Sequence, residues 1–223
     1  MERSAAFVLL ICNGEMAAAA VVRHLASIAH SVVCADGGAN VAHRLGLRPD
    51  VIIGDFDSIS DEAETAFEAQ GVDMRRISRQ DDTDFEKALS LLREQGVRRV
   101  VVLGVTGKLL DHTLGNFSIL HRYIPTMRLV IFDPHYRVDV LGKGGSFRSR
   151  AGDRISIVPL PVAGHVSYEG LRYPLEDQTL TFGEREGTCN EASGNAFSID
   201  FSDGAMLLFR QLHDELYLHP FDD

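Results

Sequence analysis

The sequence predicts an α/β protein: an N-terminal, mostly parallel, doubly wound sheet followed by a smaller C-terminal antiparallel β-sandwich. Three observations predict it. Up to about residue 135, short β-branched runs alternate with helix-length stretches, the pattern of strand–helix–strand crossovers in a parallel sheet. Several of those stretches stop at a glycine, a common residue just past a last helical turn. Beyond about residue 140 no helical period recurs, and strand-like segments follow one another with turn residues between them. The chain of 223 residues therefore divides into an α/β domain at 1–138 and a β-sandwich domain at 139–223. It is long enough to bury a core without disulfide or metal staples.

Taken in order, the first strand is expected over Ala5–Cys12 and the first helix over Met16–Ala29. Arg3 is balanced by Glu2, and Asn13-Gly14-Glu15 interrupts the apolar run, so a buried strand and helix fit better than a cleaved leader. Ser31–Ala35 forms the second strand, followed by a helix over Ala39–Leu45 that ends at Gly46. Val51–Gly54 is the third strand, and the helix Asp61–Gln70 ends at Gly71. Asp73–Ile77 is the fourth, and the helix Asp84–Gln95 ends at Gly96. Thr83 can cap that last helix, Glu86 can close a capping box, and Phe85, Ala88, Leu89 and Leu92 line one face. Arg98–Gly104 and Met127–Phe132 complete the parallel set. In the second part, Ile155–Leu160 stops at Pro161, and Ala196–Phe201 and Ala205–Gln211 read as a hairpin turning through Ser202-Asp203-Gly204.

Composition narrows the function classes. Hydrophobic residues at 45% and charged residues at 24% argue against a disordered chain. The formal net charge of -10 disfavours sequence-independent nucleic-acid binding, which needs basic patches to displace counterions. No apolar stretch approaches the length of a membrane helix. Cys12, Cys34 and Cys189 are an odd number without ligand-like spacing. They read as reduced thiols of a cytoplasmic protein with neither nucleic acid nor membrane as partner.

The carboxylates are uneven. Between Asp50 and Lys87 twelve acidic residues face four basic ones. Asp61, Glu62, Glu64 and Glu68 belong to a solvated helix face, two of them in its favourable first turn. The others fall on loops that leave the carboxyl ends of strands: Asp36 after the second, Asp55 and Asp57 after the third, Asp81, Asp82 and Asp84 beyond the fourth, Asp111 beyond the fifth. Such loops share one sheet edge, where open α/β sheets bind ligands. For any single aspartate, a place in a loop or at a helix cap is explanation enough. A set converging on one edge would repel itself without a counter-charge, and oxygen-only ligands suit Mg²⁺, which also takes substrate phosphates. Asp55 and Asp57 flank one residue, so in an extended segment both can face one way, and Asp84 at a helix start can complete the set. Gly37-Gly38 offers bare backbone to an anion or is only a tight turn. Gly104-Val-Thr-Gly-Lys (104–108) lacks the spacing of a P-loop, yet Lys108 beside the carboxylates is a reasonable phosphate contact. His112 is a candidate acid or base, or a structural residue at a helix start.

These residues resemble a family. Asp-Gly-Gly-Ala-Asn (36–40), Gly-Asp-Phe-Asp-Ser (54–58), Gln-Asp-Asp-Thr-Asp-Phe-Glu-Lys-Ala-Leu (80–89) and Thr-Gly-Lys-Leu-Leu-Asp-His-Thr-Leu-Gly-Asn (106–116) are similar in order and spacing to the signatures of the thiamine pyrophosphokinase family. The likeness continues through Gly-Leu-Arg-Tyr-Pro-Leu (170–175), Leu-Thr-Phe-Gly (180–183) and Gly-Thr-Cys-Asn-Glu (187–191). It implies an ATP:thiamine diphosphotransferase working as a homodimer, with thiamine between the α/β domain of one subunit and the β domain of the other. The thiamine hydroxyl would attack the β-phosphorus of ATP, and AMP would leave. By the same resemblance, Asp55, Asp57 and Asp84 hold Mg²⁺ on the ATP phosphates, and Asp36 and Asp81 support that shell or orient the hydroxyl. Gln80 and Lys87 contact phosphate or substrate. Gly37, Gly38, Thr106, Lys108, Asp111, His112 and Asn116 shape the nucleotide site, and Asn190 from the partner subunit, preceded by Cys189, helps bind the aminopyrimidine. Two positions depart from the family. Leu109 stands where an arginine is usual, so one phosphate donor is lost, with Lys108 as its nearest replacement. Cys189 stands where serine is usual, and a thiol is the weaker hydrogen-bond donor. With no tryptophan in the chain, any aromatic platform for the ligand comes from Phe or Tyr. Two other readings stand beside the kinase: a non-catalytic thiamine- or nucleotide-binding module, and a different Mg²⁺-dependent phosphohydrolase on the same edge.

Overall fold

The computed structural model describes residues 6–77, 81–212 and 218–221. The chain divides after Pro134 into two units. The first holds six parallel strands: β1 (Val8–Ile11), β2 (Ser31–Ala35), β3 (Val51–Gly54), β4 (Asp73–Arg76), β5 (Arg99–Leu103) and β6 (Arg128–Phe132). Their order is β4-β3-β2-β1-β5-β6. Five helices connect them: α1 (Ala19–Ile28), α2 (Gly38–Arg44), α3 (Asp61–Ala69), α4 (Asp84–Glu94) and α5 (Leu110–Ile119), the last running into a 3₁₀ turn at Leu120–Arg122. Strand β1 and the apolar part of β5 are buried along their whole length, as continuous Val/Leu/Ile runs require when both faces of a sheet are covered.

The chain winds outward from β1 to β4 and then returns to the far side of β1 as β5. Its direction reverses between β1 and β5, so the strand ends there splay apart and leave a crevice. Helix α4 is built as the sequence predicts. Thr83 accepts from the Glu86 amide at 3.2 Å, and Phe85, Ala88, Leu89 and Leu92 are buried. Only the threonine half of the capping box forms among the described residues, because the Glu86 carboxylate pairs with Arg122 at 2.9 Å. Helix α1 starts three residues later than expected from Met16. The backbone of Gly14 and Glu15 is drawn away into hydrogen bonds with Gly104 and Thr106, at 2.7 and 2.8 Å.

The second unit is antiparallel throughout: β7 (Tyr136–Leu141), β8 (Gly145–Arg148), β9 (Arg154–Glu169), β10 (Leu175–Thr181), β11 (Gly187–Glu191), β12 (Ala196–Asp200) and β13 (Asp203–Gln211). Strand β7 already belongs to it, so the division precedes the boundary expected between residues 138 and 139. Strand β9 is its spine. It carries β13 and β12 along its length and also pairs with β10 and β11. Ile155, Ile157, Val166 and Tyr168 of β9 enter a core with Phe147, Phe197, Met206 and Leu208, and the Phe147 and Phe197 rings stack at 5.4 Å.

Two expectations fail here. The strand expected over Ile155–Leu160 continues past Pro161 to Glu169. Ala196–Phe201 and Ala205–Gln211 form no hairpin. Both run antiparallel to β9, and one register carries from Asp200 opposite Ser167 to Asp203 opposite Gly164 without a turn back. Gly204, at φ 85°, marks the register shift before Met206, and a Cβ there would overlap the Val162 carbonyl. The glycine serves a β-bulge in a long strand, a role that a turn-like Ser-Asp-Gly does not distinguish from a hairpin in sequence.

Candidate active site

The crevice of the first unit is a cleft of about 580 Å³, lined by segments that follow five of the strands. After β1 come Cys12, Asn13 and Gly14; after β2, Asp36 and Gly37; after β3, Asp55 and Ser58; after β5, Gly104 to Leu109, with His112 and Asn116 of α5. The segment Asp81–Lys87, which follows β4 and opens α4, completes the lining. At its centre, carboxylate oxygens of Asp36, Asp55 and Asp84 lie within 4.8 Å of one another.

Each is positioned by its own element. Asp36 follows β2 with φ 40° and is 3% exposed. Its Oδ2 accepts from the Ser58 amide at 3.1 Å, whereas its Oδ1 is buried with no hydrogen-bond partner among the described residues. Burial first, then the charge of Asp84, pushes its carboxyl up to about 6, against the opposing hydrogen bonds of Ser58 and Gly37. Asp84 opens α4, where the helix N-terminus favours a carboxylate. Lys87, one turn on, is buried, with Nζ 2.9 Å from Asp84 and 3.9 Å from Asp55. Burial opposes its charge, but Asp84, Asp55 and Asp82 outweigh that and hold its pKa above the ordinary lysine value. Among the described residues, one ammonium, Lys87, stands beside the three carboxylates. An orphaned, acceptor-only oxygen in such a group suits a hard divalent cation, so the residues present fit Mg²⁺.

The remaining predicted residues distribute as follows. Asp57 is exposed, accepts from its neighbour Ser58 Oγ at 2.9 Å, and lies outside the three-carboxylate group. The extended segment expected across Asp55 and Asp57 is interrupted by Phe56, which sits at φ 69°. Asp36 occupies the third corner. Asp81 lines the cleft and is exposed. Thr106 donates to Asp133 at 2.6 Å, and Asn116 donates to the Val105 carbonyl at 2.9 Å, tying α5 to the loop it follows. Lys108, at φ 55°, is fastened to the backbone and side-chain oxygens of Asn13. Leu109 and His112 face the cleft, while Asp111 is exposed and accepts from the His112 amide. Gly37 lines the cleft; Gly38 packs so closely on β1 that a Cβ would overlap the Ile11 carbonyl. Gln80 lies outside the described residues. Cys12 and Cys34 are buried, and burial pushes both thiols far up.

Sequence reasoning missed three supports of this site. Asn13 holds Lys108. Asn40 donates to the Ser58 carbonyl at 2.8 Å and accepts from the Ser60 amide at 2.9 Å. Arg76 donates to the Asp55 carbonyl at 2.6 Å. Asn40 lies inside a quoted motif, which was its one available signal; the other two had none.

Cys189 and Asn190 line a separate cleft of about 260 Å³ in the second unit, with Tyr168, Tyr173 and Arg185. Asn190 is buried and spends its amide on backbone: Oδ1 accepts from Tyr173 and Glu191, and Nδ2 donates to the Tyr173 carbonyl. It fixes the wall of that cleft. Cys189, at φ 60°, is exposed, and its sulfur accepts from Arg154 at 3.1 Å.

A parallel sheet with an acidic cleft at its switch point, where open α/β sheets bind ligands, followed by an antiparallel β unit with its own cleft, is the build of a two-unit α/β enzyme. Comparison with known proteins makes the class specific. The profile described as "Thiamin pyrophosphokinase, catalytic domain" matches residues 22–131, and that described as "Thiamin pyrophosphokinase, vitamin B1 binding domain" matches residues 146–206. The chain belongs to the thiamine pyrophosphokinase family. It is 28% identical over 217 residues to Thiamine pyrophosphokinase 1 of Oryza sativa subsp. japonica, covering 85% of this chain and 81% of that one. It is 26% identical over 170 residues to the Thiamine pyrophosphokinase of Bacillus subtilis, covering 74% and 79%. The solved structure of the Bacillus subtilis protein superposes with a TM-score of 0.79 at 21% identity, covering 92% of this chain and 98% of that one. The yeast thiamin pyrophosphokinase structure gives 0.80 at 18%, covering 93% and 86%. At those identities the structures speak for the fold.

Proposed function

We propose that this chain transfers a diphosphoryl group from ATP to the hydroxyl of thiamine, releasing AMP, and that it does so as a Mg²⁺-dependent cytoplasmic homodimer. The observation that carries the reading is the meeting of Asp36, Asp55 and Asp84 within 4.8 Å in the cleft of a chain of this family. The three free thiols agree with a reducing compartment. No helix among the described residues is long and apolar enough to cross a membrane.

Asp36, Asp55 and Asp84 would hold Mg²⁺, with Asp57 and Asp81 beside them. Bound there, Mg²⁺ would neutralise charge on the transferring phosphates. The protein's own work is alignment. Lys87 keeps Asp84 and Asp55 from swinging apart and offers a donor to an incoming phosphate oxygen. Lys108, held on Asn13, presents a second fixed charge, and Thr106 and Asn116 stiffen the loop that carries it. Asp36, buried and short of a proton partner at Oδ1, can orient a hydroxyl or a cation-bound water. Nucleophile and leaving group held in line convert a bimolecular displacement into a positioned one. The second unit, whose matched profile names vitamin B1, supplies thiamine contacts around Tyr168, Cys189 and Asn190.

The direct test is AMP production from ATP and Mg²⁺ with and without thiamine. AMP is expected only with thiamine. AMP without thiamine, free phosphate as product, or thiamine binding without turnover would overturn the reading. Asp84→Asn is expected to reduce kcat by at least about a hundredfold, the scale of losing one electrostatic element of a transition state, with its melting temperature retained. Sedimentation would check the homodimer.

A further inference from the structure

We infer that Arg76, at the end of β4, is a positioning residue that fixes the Asp55 corner of the carboxylate group. The inference rests on the cation reading above. The β3–β4 register sets Arg76 opposite Gly54, the residue before Asp55. From there the guanidinium reaches across the loop. Nη1 donates to the Asp55 carbonyl at 2.6 Å, the guanidinium carbon lies 4.6 Å from the centre of the Phe56 ring, and Nη2 pairs with Glu64 of α3 at 3.4 Å. The adjacent Arg75 turns instead to Asp73, at 2.7 Å.

Phe56 explains why such a grip is needed. A bulky residue at φ 69° is uncommon, because its Cβ crowds the backbone, and it persists only where its surroundings hold it. Arg76 holds it on both sides, by the carbonyl before it and by the face of its ring. That carbonyl and the carboxylate that joins Asp36 and Asp84 belong to one residue. Released, the Asp55–Ser58 backbone can relax toward ordinary φ and carry the carboxylate out of reach of its partners.

The sign of the effect separates this role from plain electrostatics. A guanidinium near a cation site repels the cation, so by charge alone Arg76→Ala tightens divalent binding. A positioning role predicts the reverse. Mn²⁺ binding to the nucleotide-free protein, read by electron paramagnetic resonance, is expected to weaken roughly tenfold in R76A, the lower end of what loss of a supporting hydrogen bond costs a metal site. R76K, which keeps a donor but loses the flat stack, is expected to fall between. E64Q, which removes the ion pair and leaves the grip on Asp55, is expected to bind as the wild type does. In metal-free R76A the amides of residues 55–58 are expected to exchange faster, with the rest of the protein unchanged. Mn²⁺ bound by R76A as tightly as by the wild type, or more tightly, overturns the inference and leaves the cation reading intact. A wild type that binds no Mn²⁺ overturns that reading and this inference with it.

Discussion

A buried aspartate in the second unit shows how much one side chain can carry away from the chemistry. Asp139 on β7 is 4% exposed and lies between two arginines that are each 1% exposed, Arg137 two residues before it and Arg210 across on β13. Arg137 reaches it at 2.8 Å and also donates to the carbonyls of His219 and Pro220, so the same cluster secures the end of the chain. Arg210 reaches it at 2.8 Å. Burial opposes ionisation of Asp139, but the two guanidiniums outweigh it and hold its pKa below the ordinary carboxylate value. The stability it contributes is therefore complete above the unfolded-state pKa, near 4. It is lost as pH falls below that through the lower folded value. Asp139→Asn removes the carboxylate that both buried guanidiniums share, and a loss of about 3–5 kcal/mol at neutral pH is expected. Urea denaturation at pH 7 and pH 3 checks both points: the difference between wild type and D139N should shrink at the lower pH. A constant difference would mean that charge is not what Asp139 supplies. None of this was legible in the sequence, where Tyr-Arg-Val-Asp-Val (residues 136–140) carries no motif and straddles the expected domain boundary. The partner Arg210 is assigned only once β13 is known to lie beside β7.

Elements were legible in proportion to how much of their pattern is local. Helix α4 has a cap, a buried face and a glycine stop within one short stretch, and it appears where the sequence puts it. Helix α5 carries Leu110, Leu114 and Phe117 at helical spacing, yet none of its residues is buried, and the sequence reading took from this stretch only a helix start near His112. The supposed hairpin failed because pairing with β9 is nonlocal. Gly204 carries the same residue signal whether the chain turns back or bulges and continues. Gly38 likewise sits in a motif that suggests anion binding, yet its packing makes a further demand. The start of α2 passes so near β1 that a methyl at this position would overlap the Ile11 carbonyl, a backbone group that cannot step aside. Gly38→Ala is expected to cost about 1–3 kcal/mol, the range for overpacking a filled interior, measured by urea unfolding. It should also move Asp36, two residues earlier, and so weaken Mn²⁺ binding. A variant as stable as the wild type would leave ligand contact as the reason for this glycine.

Over the whole molecule, the site was legible because topology converts sequence order into position. Carboxylates that follow successive parallel strands come to one edge whatever their distance along the chain, and Asp36, Asp55 and Asp84 meet there. Which of them form the inner group was not legible, since it turns on φ at Phe56 and on the burial of Asp36. The charge they gather has a consequence for the order of binding. At an effective dielectric near 20, two like charges 4 Å apart repel by about 4 kcal/mol, and ATP would bring its phosphates to three carboxylates that, among the described residues, have Lys87 and Lys108 beside them. Nucleotide should therefore bind poorly without a divalent cation. Calorimetry in excess EDTA is expected to show ATP bound at least about a hundredfold more weakly than in Mg²⁺, which is roughly 2.7 kcal/mol. The Asn variants of Asp55 and Asp84 should cross that pattern. Each removes one negative charge and keeps the shape, so free ATP should bind more tightly than it does to the wild type, while the gain from Mg²⁺ shrinks. Raising salt should narrow the difference only slightly, because these charges lie inside a cleft that mobile ions screen less than a flat surface. Equal affinity with and without Mg²⁺ in the wild type would show that the lysines alone balance the phosphates and that the carboxylates serve something other than a metal.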